Sequence, residues 1–127
     1  MSRFEILSRG QVIGVSDLET GDPSMGVALG RFHPSPLYET VRPVFMLYRR
    51  ATDPQAEGRS ADEALLTRYY QERDALGLSV RSASGESVGT QWVHIDDYSD
   101  DLGMEGLEVS IAVDDSKTHE RFFPDRE

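Results

Sequence analysis

Three histidines, a run of carboxylates and one glycine-rich stretch are the places where this chain could do chemistry. His33 stands between Phe32 and Pro34, His94 opens an acidic stretch, and His119 lies near the C-terminus. None belongs to an H-x-x-x-H or H-E-x-x-H pattern, which would set two imidazoles on one helical face. A histidine beside carboxylates has its charged form favoured, and this suits proton transfer. On that ground Glu19, Asp22 and His33 make a candidate pocket for a small ligand or for hydrolysis. His94 with Asp96 or Asp97 could ligate a metal, but no metal or cofactor is assigned. Counting Asp97 as the first position of a calcium loop puts Ser99, Asp101 and Glu108 at positions 3, 5 and 12. The turn glycine belongs at position 6, where Leu102 stands, and a strand rather than a helix leads in. Cysteine is absent, so thiolate nucleophiles, disulfides and zinc–thiolate sites are excluded. Serine remains as the nucleophile, yet neither G-x-S-x-G nor S-x-x-K occurs.

The stretch Asp22–Pro36, "DPSMGVALGRFHPSP", holds two glycines four apart. A phosphate loop needs a lysine and a hydroxyl after its second glycine; here Arg31 and Phe32 follow Gly30. In a strand, residues two apart share a face. Gly26, Ala28 and Gly30 would then leave one face bare, for Trp92, a tyrosine or a helix to pack on, or for a ligand or partner strand to cross.

The carboxylates are unevenly spread. The net charge is −10, and residues 86–127 hold twelve acids against three bases. Between His94 and Asp115 there are eight acids and no base. Such a stretch must stay hydrated or meet a cation. Asp96, Asp97, Asp100, Asp101 and Glu105 are therefore candidates for docking a basic protein. Nucleic acid is not expected there, because phosphates would be repelled. Twelve arginines against one lysine, with no asparagine, suggest a GC-rich bacterial genome.

The elements that must position these residues read as follows. Residues 3–8 and 12–19 form a hairpin turning at Arg9-Gly10-Gln11, with Gly10 supplying a positive φ. Met25–Phe32 is a third strand. Ser35-Pro36 signals a helix start, with serine as cap and proline in the first turn. Pro43 is expected to break that helix into 35–42 and 43–50, the second piece being helix or strand. Ser60-Ala61-Asp62-Glu63 reads as a capping box, opening a helix with Leu65, Leu66, Tyr69, Tyr70 and Leu76 on one face and ended by Gly77. A second hairpin, 78–83 and 87–95, turns at Ser84-Gly85-Glu86. Residues 96–106 read as an acidic loop. Residues 107–113 alternate cleanly, with Leu107, Val109, Ile111 and Val113 inward. Residues 118–127 are expected to be a mobile tail, with Phe122 and Phe123 as anchors. "RGQVIGVSDL" (9–18) and "SGESVGTQWV" (84–93) share two glycines at equal spacing. Chance supplies that match as readily as duplication does; duplication would place the two hairpins symmetrically.

The stretch "GVSDLETGDPSMGVALGRFHP" resembles one in small uncharacterised bacterial proteins, with the pattern L-E-x-x-D-P-x-M-G-x-A-x-G-x-F. The resemblance spans 21 residues and implies no activity, only a structural signature.

These readings converge on a single α+β domain over residues 1–127. A mainly antiparallel sheet of five or six strands carries one long helix and one Pro-broken helix. The expected core is Phe4, Ile6, Val12, Leu18, Val27, Leu29, Val41, Phe45, Leu65, Tyr69, Val88, Trp92, Val109 and Ile111. No signal peptide or membrane span is legible, so a cytoplasmic protein is expected. Its function reads as non-catalytic binding, as in an immunity- or antitoxin-type inhibitor that meets a basic protein. The pocket of Glu19, Asp22 and His33 is the alternative, and a homodimer paired through sheet edges is compatible with either.

Overall fold

A computed structural model describes residues 3–52 and 62–123. The class is α+β, as the alternation and the capped helix predict. The strands, however, divide between two antiparallel sheets. One holds β1 (Phe4–Ser8), β2 (Gln11–Ser16), β5 (His33–Pro34), β6 (Leu78–Arg81) and β7 (Ser87–Val88), in the order β5-β2-β1-β6-β7. The other holds β3 (Thr20–Asp22), β4 (Val27–Arg31), β8 (Thr90–Asp97) and β9 (Leu107–Val113), in the order β3-β4-β9-β8. The helices are α1 (Tyr38–Ala51), α2 (Glu63–Ala75), α3 (Ser99–Leu102) and α4 (Ser116–Phe122). Among the described residues no helix is long and apolar enough to cross a membrane.

Apart from β5, which has no counterpart in the second half, the strand orders read the same when the two halves of the chain are exchanged. β1 lies antiparallel to β6 with β2 and β7 outside them; β4 lies antiparallel to β9 with β3 and β8 outside them. The two hairpins therefore hold symmetric positions, as an internal repeat requires. The first hairpin turns where expected, with φ of 50° at Arg9 and 79° at Gly10. The second differs from expectation. Residues 87–95 are not one strand: Ser87–Val88 pairs with β6, and from Thr90 the chain joins β9 in the other sheet. The switch falls at Gly89, where a Cβ would meet the Asp114 carboxylate at 2.2 Å.

α1 also departs from expectation. Ser35 does not cap it. Its hydroxyl donates to the Val12 carbonyl at 2.8 Å and its N–H to Ile13, fastening the chain to β2. The helix starts three residues later and runs unbroken through Pro43. Pro43 deprives the Glu39 carbonyl of its donor, but Pro43 and Glu39 are both exposed, so water takes the donor's place. In α2 the cap is Asp62, which accepts from the Leu65 N–H at 3.1 Å; Ser60 lies outside the described residues. Gly77 follows with φ of 58°. The Arg9 guanidinium donates twice to the Ala75 carbonyl and the Ser8 hydroxyl to Leu76, so the first hairpin closes the end of α2.

One apolar cluster joins both sheets and the helices. Of the expected core, Phe4, Ile6, Leu18, Val41, Phe45, Tyr69, Val88, Val109 and Ile111 are buried. Val12, Val27, Leu29, Leu65 and Trp92 are half-buried. On β4 the inward face is the small one, Ala28 and Gly30, while Val27 and Leu29 point the other way. The bare face is covered by the chain itself. A Cβ on Gly30 would lie 2.9 Å from the Leu18 backbone. Of the stretch expected as a tail, residues 124–127 lie outside the described residues, and the rest belongs to α4 and Phe123. α4 is capped by Asp115, buries His119, and presses Phe123 against Phe4 with ring centroids 4.9 Å apart.

Candidate functional site

β8 delivers two of the five predicted acids, Asp96 and Asp97, and the period of two decides their fates. Val93, Ile95 and Asp97 are buried on one face; Trp92, His94 and Asp96 are half-buried on the other. Asp97 is only 1% exposed. One of its oxygens accepts from the Tyr38 hydroxyl at 2.6 Å and from Arg42 Nε at 2.9 Å. The other accepts from the Ser99 N–H at 3.0 Å and the Ser99 hydroxyl at 2.5 Å. Burial alone would raise this carboxyl's pKa, but the bonds from Ser99, Tyr38 and Arg42 outweigh it and hold the pKa below the ordinary value.

Arg42 and Arg49 stand two turns apart on α1 and reach toward the same loop. Arg42 pairs with Asp100 at 2.9 Å, and Arg49 with Asp101 at 2.5 Å while lying 4.7 Å over the Tyr98 ring. Of the five acids predicted to bind a partner, Asp97 is thus structural, Asp100 and Asp101 carry internal arginine partners, and Glu105 is exposed. The loop 98–106 is closed by a bond from the Tyr98 N–H to the Gly106 carbonyl at 2.8 Å. Its apolar side chains face water: Leu102 is 63% exposed, Met104 58% and Tyr98 40%.

Glu19, Asp22 and His33 have separate structural tasks. Glu19 accepts from the Arg31 N–H at 3.2 Å. Asp22 ends β3 and accepts from the Ser24 N–H and hydroxyl. His33 pairs with Val15 in the other sheet.

The other face of β8 borders a cleft of about 580 Å³ that the sequence reading missed. Tyr48 of α1, Tyr70 of α2 and Trp92 line it, with Arg73, His94, Asp96 and Ser110 supplying polar groups. His94 Nε2 lies 2.8 Å from the Asp96 carboxylate. A carboxylate only accepts, so Nε2 carries the hydrogen and Nδ1 is free to accept from the Tyr69 hydroxyl, its other partner. Burial pushes the Tyr69 hydroxyl pKa well up, so it stays protonated. Across the strand pair, Ser110 faces His94 and Glu108 faces Asp96. Partial burial, then the charges of Asp96 and Glu19, raise the Glu108 pKa above its ordinary value. Among the described residues no three such donors are placed to hold a metal ion.

No family model, curated protein or solved structure matches this chain. Its chemistry rests on its own geometry. Both ring nitrogens of His94 are engaged, and its Tyr69 partner is fully buried. The imidazole links Tyr69 of α2 to Asp96 of its own strand and so clamps α2 to β8. The spacing Trp92-x-His94-x-Asp96 carried the signal for this face. It needed a strand read through to Asp97, whereas the acidic composition read residues 96–106 as loop.

Proposed function

We infer that this chain is a non-catalytic binding domain that docks a basic protein partner through the loop 98–106, in the manner of an inhibitor. The observation carrying this reading is the exposure of Leu102 and Met104 among Asp100, Asp101 and Glu105. Apolar side chains rimmed by one sign of charge mark interaction surfaces. The pairing of Asp100 and Asp101 with arginines is compatible with this, since their side chains remain 61% and 66% exposed. The internal repeat adds a second argument. The β3–β4 connection spans residues 23–26, while its counterpart between β8 and β9 spans 98–106. The added length carries the exposed apolar groups, and added loop length on a shared scaffold is where recognition is built.

The test begins with capture and identification of a partner by the intact protein from a lysate of the source organism. Binding kinetics follow with two variants, Leu102→Ser/Met104→Ser and Asp100→Asn/Asp101→Asn/Glu105→Gln. The first is expected to speed dissociation about tenfold or more. The second is expected to slow association and flatten its salt dependence. A partner bound equally by wild type and both variants refutes the reading.

A further inference from the structure

The cleft beside β8 lies apart from the docking loop and holds two opposite charges kept separate. Arg73, on α2, is stacked rather than paired. Its guanidinium carbon lies 5.2 Å over the Tyr69 ring and 5.1 Å over the Tyr70 ring, and among the described residues its side chain hydrogen-bonds the Tyr69 hydroxyl alone, at 3.5 Å. Asp96, on β8, has one carboxylate oxygen on His94 and a side chain 37% exposed. Both line the cleft, yet no ion pair joins them. The two charges bear on a shared ring. The Tyr48 hydroxyl pKa is raised first by burial and then by the charge of Asp96, while Arg73 pulls it down.

A half-buried arginine and a carboxylate that line one cleft would ordinarily gain by pairing. Here stacking holds one and an imidazole holds the other. Most N–H donors of Arg73 and one oxygen of Asp96 are left for something between them. Between them are aromatic walls, Tyr48, Tyr70 and Trp92. A cleft of this volume and lining falls in the range of small-molecule sites, where a few fixed polar groups set orientation within an apolar surround. An anion alone would meet repulsion from Asp96 and Glu108; a cation alone would meet Arg73.

We propose that this cleft binds a small zwitterion of the α-amino-acid type, its carboxylate on Arg73, its ammonium on Asp96 and an aromatic or large apolar side chain against Trp92. The proposal does not depend on the docking loop, and its test leaves that loop untouched. Trp92 is the chain's only tryptophan, so its emission reports occupancy directly. The intact protein is titrated with L-phenylalanine, with 3-phenylpropionate, which lacks the ammonium, and with 2-phenylethylamine, which lacks the carboxylate. L-phenylalanine is expected to shift Trp92 emission saturably, and each half-ligand to bind roughly tenfold or more weakly. Arg73→Gln is expected to bring L-phenylalanine down to the affinity of the amine, and Asp96→Asn to that of the acid. Circular dichroism checks that both variants fold. Either half-ligand binding as tightly as L-phenylalanine overturns the proposal, and so does no saturable change at millimolar concentration. The wild-type comparison decides even if a variant fails to fold.

Discussion

Asp97 was expected at the partner surface, and its burial makes its replacement the most decisive measurement on this fold. Each of its oxygens accepts two bonds, one from a hydroxyl and one from an N–H. The hydroxyls of Tyr38 and Ser99 can turn. Arg42 Nε–H and the Ser99 backbone N–H cannot. In Asp97→Asn, the new amide must face one of those two fixed donors whichever way it is flipped, so the isosteric change does not rescue the site. Asp97→Ala leaves the Tyr38 hydroxyl, on a residue 2% exposed, without its partner. Arg42 keeps its bond to Asp100, which limits the loss. Breaking a buried charged network costs about 3–5 kcal/mol, and Asp97→Ala belongs in that range. Asp97→Asn should cost about 2–4 kcal/mol, as a lost charge-assisted bond plus one opposed donor. For a chain this long, each kcal/mol lowers Tm by roughly 3–5 °C, so Asp97→Ala should fall by about 10–20 °C. Urea unfolding followed by Trp92 emission measures the loss. The pH dependence gives an independent check. The folded pKa of Asp97 is depressed, so its contribution is complete above the unfolded value of about 3.9 and is lost as pH falls from there toward the folded value. Asp97→Asn should flatten that acid limb. An Asn variant within about 1 kcal/mol of wild type, with an unchanged acid limb, refutes the reasoning.

Two further predictions follow from packing. Gly30→Ala should destabilise by about 1–3 kcal/mol, because its Cβ would lie 2.9 Å from both N and Cα of Leu18, backbone that has no rotamer to escape into; urea unfolding at wild-type stability would show that the Leu18–Glu19 crossing is slack. Phe123→Ala should cost about 3–5 kcal/mol, since the ring is 1% exposed and packs on Phe4; a loss under about 1 kcal/mol would mean that the last helix is dispensable to the core.

Local signals in this sequence were legible where one residue settles a local geometry. Gly10 and Gly77 both take the positive φ their turns require, and the alternation of residues 107–113 matches the burial of β9 except at Ala112, expected outward but buried. What failed was tertiary. Gly89 looks like any strand glycine, yet there the chain leaves one sheet for the other, and its carbonyl accepts from the Asp114 N–H at 3.0 Å. Ser35 has the chemistry of a cap but spends its hydroxyl on Val12 of a neighbouring strand. For the site, the acids were found and their partners were not. Arg42 and Arg49 face one way on α1, but nothing local says that they meet residues some fifty positions later. The cleft was illegible for the same reason: Tyr48, Tyr70 and Trp92 converge from three elements, and no spacing in the sequence joins them.

The symmetric placing of the two hairpins lets equivalent positions of the two halves be compared. Counting 75 residues on from Gly10, Gly14 and Asp22 reaches Gly85, Gly89 and Asp97. Asp22 and Asp97 do the same work: each ends the outer strand of its pair and accepts from the N–H and hydroxyl of a serine two residues later. Those shared positions are turns and caps, which any copy of the fold must have. At the same offset, Trp92, His94 and Asp96 stand where the first half has Asp17, Glu19 and Gly21. Glu19 uses its carboxylate on the Arg31 N–H, and Gly21 offers no side chain at all. The longer connection, 98–106, lies on the β8 side too. Scaffold demands also differ between the halves, because the helices pack on the β8 side: His94 bonds Tyr69 of α2, and Asp97 bonds Tyr38 and Arg42 of α1.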